Sequence, residues 1–226
     1  MLALPDVSGV AALMAEPTRA AILTRLLDGR PRAAGELAAC AGVSAQAASN
    51  HLSRLLASGL VVVRPAGRQR HYALSKREVA EALEALAALA PQPAASPVPL
   101  GLRFARTCYD HLAGTLGVAL TEAFLEKGLL LKDGPRYRTS PKGEAHFAGW
   151  GLGLTALRQG RRPFARACLD WSERRPHLAG ALGAALLEKF LQLRWVARPS
   201  SGRALRRTLG GRRALESQLH LRLPPS

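Results

Sequence analysis

Residues 35–75 read GELAACAGVSAQAASNHLSRLLASGLVVVRPAGRQRHYALS. A short apolar helical pattern, GELAAC, runs into the turn Ala41-Gly42-Val43, and a second helix follows from a Ser44 N-cap to a stop at Gly59. Gly42 sits where the chain must turn sharply, and the small Ala38 lets the two helices approach closely. LVVVRP and RHYALS then read as two strands around the turn Ala66-Gly67. Two helices joined by a glycine-containing turn, followed by a basic hairpin, make a winged helix-turn-helix.

Helical spacing assigns the faces of the second helix. Ala48, Leu52, Leu55 and Leu56 point to the core, which leaves Gln46, Ser49, Asn50 and Ser53 on the outer face. Small and amide side chains there can enter a major groove and bond base edges. Ser44 at the helix start and Arg54 beside the same face are candidates for backbone contact, as are Arg68 and Arg70 in the hairpin. His51 is read as a phosphate contact or a backbone cap, not as a metal ligand. The competing reading of the element is a protein-interaction module that keeps the winged shape.

Outward from this core, Glu16-Pro17-Thr18 opens an earlier helix with Ile22, Leu23, Leu26 and Leu27 as its stripe, ended by Gly29-Arg30-Pro31. KREVAEALEALAALA, residues 76–90, closes the region as a strongly helix-favouring run. PQPAASPVPL, residues 91–100, holds four prolines and reads as an extended linker. The expected domains are therefore 1–90, a linker at 91–100, and 101–226.

Composition limits the partners. The net charge is +16 over 226 residues, and it is uneven. Residues 1–90 hold 10 Lys and Arg against 7 Asp and Glu, whereas residues 91–226 hold 22 against 9. Such an excess fits a polyanion such as double-stranded DNA, or the arginine-rich usage of a GC-rich genome. Three cysteines, an odd number, argue against a disulfide scaffold and for a reducing compartment. With no apolar run of spanning length and no signal-peptide pattern, the expectation is a cytoplasmic protein without membrane contact.

The motifs EPTRAAILTRLL and GELAACAGVSAQAASNHLSRLLASGLVVVRPAGRQRHYALS resemble the ArsR (SmtB-like) family of bacterial winged-helix repressors over roughly residues 10–90. The resemblance implies a homodimer joined through residues 6–15 and 76–90. It also implies repression that a bound effector relieves or alters. Two departures matter. Many members carry a Cys-x-Cys pair on the helix that here begins near Glu36, and this chain has Cys40 alone. Others carry Asp/His pairs on the last helix, and residues 76–90 contain neither. Cys40 is read as a small buried hydrophobe.

The second half is a tandem duplication. HLAGTLGVALTEAFLEKGLL (111–130) aligns with HLAGALGAALLEKFLQLRWV (177–196), and YRTSPKGEAHF (137–147) aligns with LRRTLGGRRAL (205–215). Each unit is expected to run helix, helix, short hairpin, helix. The fold expected of the whole chain is mainly α with small hairpin wings: a winged helix-turn-helix followed by two winged-helix-like repeats. The resemblance extends to longer ArsR-type regulators carrying a CYDHLAG extension.

RTCYDHLAG (106–114) and RACLDWSERRPHLAG (166–180) head the two repeats. Read as helices, Cys108 and His111 share a face, with Asp110 turned away. In the second copy Trp171 occupies the histidine spacing, and His177 returns beyond Pro176. Pairing of the repeats about a pseudo-twofold would gather Cys108, His111, Cys168 and His177, a set suited to Zn(II) or another thiophilic ion. A thiol redox switch, an organic effector between the repeats and a purely architectural repeat stand beside that reading, as does the absence of any ion. Asp110 and Asp170 are read as caps or as local partners of Arg106 and Arg166. Trp150, Trp171 and Trp195 suggest a pocket or a large interface. No oxyanion loop, phosphate loop or cofactor fingerprint accompanies the thiol and imidazole, so no enzyme is expected.

Overall fold

The computed structural model describes residues 5–66, 69–91, 98–200 and 202–223. It divides into two units, Met1–Glu84 and Ala85–Ser226, and residues 92–97 of the expected linker lie outside the described residues. No helix among the described residues is long and apolar enough to cross a membrane.

The first unit begins with α1 (Val7–Ala15) and α2 (Pro17–Arg25), the latter opened by Pro17 at its first turn. Both Glu16 carboxylate oxygens cap α2 by accepting from Thr18 and Arg19 N–H at 3.0 and 2.9 Å. A 3-10 turn, Leu26–Asp28, leads to β1 (Arg32–Ala33), α3 (Ala34–Ala41) and α4 (Ala45–Ala57). The hairpin β2 (Val61–Ala66) and β3 (Gln69–Leu74) follows, and then α5 (Arg77–Leu89), whose last residues belong to the second unit. β1 was not anticipated: it pairs with β3, Arg32 opposite Tyr72, giving the strand order β1-β3-β2. Its anchor is electrostatic. The buried Asp28 carboxylate lies between the Arg25 and Arg32 guanidiniums, and both arginines also reach Glu36 on α3. Ile22, Leu23, Leu37, Ala48, Leu52, Leu55 and Val61 form the core beneath, while Leu56 is only half-buried.

The second unit departs from the expected order of elements. After α6 (Leu100–Phe104) the chain forms β4 (Arg106–Cys108) and β5 (His111–Ala113), then α7 (Gly114–Glu126), β6 (Leu130–Asp133), β7 (Arg136–Thr139) and α8 (Pro141–Gly149). A short α9 (Leu154–Gln159) leads to the second copy: β8 (Arg166–Leu169), β9 (Pro176–Ala179), α10 (Gly180–Gln192), β10 (Val196–Ala197), β11 (Arg206–Arg207) and α11 (Leu209–Leu219). Each repeat is thus hairpin, helix, wing, helix, and the cysteines lie on strands. The helical reading fails because α6 ends at Phe104 and Ala105 is already extended, at φ −150 and ψ 134.

The repeats are interlocked. The β8–β9 hairpin joins the first wing in the sheet β6-β7-β8-β9, with Arg136 opposite Arg166. The β4–β5 hairpin turns to the second wing, where Arg106 bridges Ala204 and Leu205 N–H donates to the Ala105 carbonyl at 2.8 Å. Each first hairpin therefore docks on the wing of the other repeat. Gly114 and Gly180 open the helices that follow these hairpins and pack against the chain just before them. Both have positive φ (81 and 91), and a Cβ would come within 2.5 and 2.7 Å of backbone carbonyl oxygens, of Arg103 and Pro163 respectively. Phe124, Phe147 and Phe190 fill the centre, with Trp150 and Trp195 edge to face, ring centroids 5.5 Å apart.

Candidate functional site

In the first unit, two local features aim α4. Gly42 caps α3 in the left-handed region at φ 66, and Ser44 Oγ accepts from Ala47 N–H at 3.2 Å to open α4. With Ala48, Leu52 and Leu55 buried, the opposite face carries Gln46, Ser49, Asn50, Ser53 and Arg54, all exposed, and Ser44 is exposed at its start. Gln46 and Asn50 lie one turn apart, the Gln46 amide donating to Asn50 Oδ1 at 3.4 Å. The outer row is thus an array of donors and acceptors with neither bulk nor negative charge.

His51, at the edge of that row, faces inward to Glu16, Nδ1 to Oε2 at 3.2 Å. Burial pushes the Glu16 carboxyl up, but the Arg19 and Thr18 N–H groups outweigh it and hold the carboxyl down at about 2. Arg70 is exposed on β3, opposite Pro65, while Arg68 lies outside the described residues. The sequence reading passed over Arg64, which is exposed on β2, opposite His71. Its signal was present, a lone cation ending an apolar strand. Cys40 corrects an expectation: it is exposed on α3, not packed, because Leu37 and Ala38 take the buried face.

In the second unit the hairpins bring four side chains together. Cys108 stands opposite His111 in one hairpin, and Cys168 opposite His177 in the other. The six additional residues of the second copy fall in the loop between β8 and β9, so the cross-strand register of thiol and imidazole is the same in both. The ligand atoms of the four residues lie within 4.8 Å of one another. The thiols approach to 3.9 Å and the two Nε2 atoms to 3.1 Å. Cys108, His111 and His177 are buried, and Cys168 is half-buried.

A charged shell surrounds the cluster. His111 Nδ1 is 3.2 Å from Asp110 Oδ1, and Arg162 Nη1 donates to Asp110 Oδ2 at 2.7 Å. His177 Nδ1 is 3.3 Å from Asp170 Oδ2, an ion-pair distance without full hydrogen-bond alignment. Asp170 also accepts from Arg106 at 2.8 Å and from Gly114 N–H at 2.7 Å, with both charged side chains fully buried. The aspartates were expected to cap the next helix or to pair locally with Arg106 and Arg166. Instead Asp110 takes Arg162 and Asp170 takes Arg106, each reaching across the repeat, since the hairpins turn the i−4 arginines away from their own aspartates. Trp171, expected at the histidine position, lies against the Arg106 guanidinium at 4.2 Å.

The electrostatic consequences are consistent with this shell. Burial pushes the Asp170 carboxyl up, but His177, Arg106 and the Gly114 N–H hold it well below the usual carboxylate range. Asp110 goes down to about 2, with His111 and Arg162 overcoming burial. The neighbouring Cys108 thiol and the two imidazoles hold the Cys168 thiol far below its ordinary value, against burial. Burial pushes His177 down, and Asp170 and Cys168 more than offset that, so it is raised. A shallow apolar crevice, lined by Leu112, Leu120, Phe124, Leu178, Leu186 and Phe190 among others, lies between α7 and α10.

Comparison with known proteins matches residues 14–64 to a helix-turn-helix domain family. The HTH-type transcriptional regulator YdfF of Bacillus subtilis (strain 168) is 40% identical over 224 residues, which cover 97% of this chain and 99% of that protein. The HTH-type transcriptional regulator CmtR of Mycobacterium tuberculosis (strain H37Rv) is 49% identical over 70 residues, 31% of this chain and 58% of that one. The solution structure of the cadmium sensor CmtR from Mycobacterium tuberculosis covers 42% of this chain and 99% of its own, at 40% identity and a TM-score of 0.33. With the winged helix-turn-helix, its polar outer face and a relative matched end to end, the chain belongs to the ArsR (SmtB-like) family of DNA-binding transcriptional regulators.

Proposed function

We propose that the protein is a cytoplasmic homodimeric repressor that reads an inverted-repeat operator and answers to an effector bound in its second unit. One observation carries this reading: α4 exposes Gln46, Ser49, Asn50 and Ser53 in a single polar row over a buried apolar face. Amide side chains one turn apart suit bidentate contact with adenine edges in a major groove. Ser44 and Arg54 flank the row as phosphate contacts, Arg64 and Arg70 place cations along the wing, and the sequence supplies Arg68 as a further candidate. A dimer supports the palindrome reading, because two recognition helices one turn of DNA apart bind two half-sites. The exposed Val7 and Val10 on α1 and Leu86 and Leu89 on α5 supply apolar surface for that dimer.

The test is Gln46→Ala with Asn50→Ala in the full chain. Operator affinity should fall by at least about 30-fold, since two base contacts at roughly 1–3 kcal/mol each are lost, while binding to unrelated DNA stays nearly constant. Unchanged operator affinity in a folded dimer would remove α4 as the reading element. A gel shift with fragments of the gene's own promoter separates a DNA reader from a winged-helix module that contacts only proteins.

A further inference from the structure

We infer that Cys108, His111, Cys168 and His177 form a closed tetrahedral site for one thiophilic divalent cation of the Zn(II) type, held between the two repeats. This deepens the effector reading above. It rests on that reading only for its consequence at the operator, since ion binding itself needs nothing from the winged helix.

Two edges of the four-donor set match those of a tetrahedral ion site, and all four donor atoms lie within 4.8 Å of one another. Zn–S bonds of about 2.3 Å imply a sulfur–sulfur edge of about 3.8 Å, and Zn–N bonds of about 2.0–2.1 Å imply a nitrogen–nitrogen edge of about 3.3–3.4 Å. The edges here are 3.9 Å between the thiols and 3.1 Å between the imidazoles. Two thiolates and two imidazoles are a donor set that selects soft or borderline ions over Mg(II) or Ca(II).

The shell around the histidines gives an independent argument. A carboxylate stands at Nδ1 of both rings, Asp110 at 3.2 Å and Asp170 at 3.3 Å. Each carboxylate favours a proton on its Nδ1, which turns both Nε2 lone pairs toward one another. Two buried lone pairs at 3.1 Å repel unless a proton or a metal ion lies between them. This carboxylate–histidine arrangement is the one that orients imidazole ligands to a metal.

Charge closes the argument. A dication would be neutralised by two thiolates, and the two aspartates are already neutralised by Arg162 and Arg106. The buried assembly then carries no net charge, as a low-dielectric interior requires. Four protein ligands leave no open position, so the site is a structural or sensing one, not a catalytic one. Because each repeat gives one Cys and one His, the ion would tie the repeats together.

The experiment uses the full chain, purified anaerobically with its thiols reduced and titrated with Co(II). One Co(II) per chain should bind, giving the intense visible bands of tetrahedral Co(II) and a near-ultraviolet thiolate charge-transfer band, both abolished by added Zn(II). Cys108→Ser and Cys168→Ser should each remove about half of the charge-transfer intensity, and Cys40→Ser none of it. Asp110→Asn, a positioning change, should weaken binding by about 10–100-fold while the spectrum stays tetrahedral. The bound ion should also raise the melting temperature of the wild type, reversibly with a chelator.

The proposal is overturned if the reduced wild type takes up no stoichiometric Co(II), or gives a pale octahedral spectrum without the sulfur band. It is equally overturned if ion-free reduced protein refuses metal while mild oxidation joins Cys108 to Cys168, which would make the pair a thiol switch. The wild-type titration decides each of these without any variant having to fold. The Gln46 and Asn50 test reads DNA alone, so failure of one proposal leaves the other measurable.

Discussion

Arg106 and Asp170 show how a single ion pair can hold a repeat protein together. Both side chains are fully buried, and they join residues 64 apart in sequence at 2.8 Å. Asp170 spends its remaining capacity on the Gly114, Ser172 and Glu173 N–H groups, so the carboxylate organises its own loop and the start of α7 at once. Removing one partner strands a buried charge, which costs more than the pair contributes. Asp170→Ala should therefore lower stability by about 3–5 kcal/mol in denaturant titration. The double variant Arg106→Met with Asp170→Leu should lose much less than the sum of the single changes, because no charge is left unpaired. A cost equal to the sum would mean that the two groups act independently.

Among elements, comparison of the repeats singles out Arg194 among the side-chain-bearing residues at positive φ. α7 ends in Gly128 at φ 66, and α10 ends at the equivalent Arg194 at φ 55. The caps that follow are the same: Ser140 Oγ donates to the Gly128 carbonyl at 2.6 Å and accepts from Gly143 N–H. Thr208 Oγ1 does likewise with the Arg194 carbonyl at 2.6 Å and Gly211 N–H. The backbone needs the left-handed turn in both copies, and only the first has a residue without a Cβ there. The left-handed conformation costs a side-chain-bearing residue roughly 1–2 kcal/mol, part of which glycine returns as chain entropy. Arg194→Gly should stabilise the protein by about 0.5–1 kcal/mol and raise its melting temperature. A lower melting temperature would show that the exposed arginine makes a compensating contact.

For the whole molecule, charge is the property that counts. Residues 91–226 carry 22 Lys and Arg against 9 Asp and Glu. Many of these arginines are committed internally: Arg106 and Arg162 to aspartates, Arg158 to Glu144, Arg175 to Glu122, Arg212 to Glu216. Others, such as Arg194, Arg206 and Arg213, are exposed. A second unit that touches DNA would release additional counterions, each phosphate contact adding about 0.9 to the slope of log K against log salt. The full chain should accordingly show a steeper salt dependence than a chain ending at residue 96. Equal slopes would confine DNA contact to the first unit.

The sequence by itself determined the helix-turn-helix and its hairpin. The apolar stripe of α4, its Ser44 cap and the Gly42 turn are local signals, and local hydrogen bonding and 3.6-residue periodicity were sufficient to place them. β1 escaped, a two-residue strand held by Asp28, whose pairing with β3 no local pattern encodes, and so did the exposure of Cys40. The duplication was also legible, because it is a property of the string. Two things were left to the tertiary structure. One was that the segments at Cys108 and Cys168 are hairpins, since three- and four-residue strands carry too little pattern to compete with a helical one. The other was the partnership of Asp110 with Arg162 and Asp170 with Arg106, across 52 and 64 residues. Helical spacing placed Cys108 beside His111 for the wrong reason; cross-strand pairing put them there, and only the docking of each hairpin on the other repeat's wing brought the second pair to meet the first.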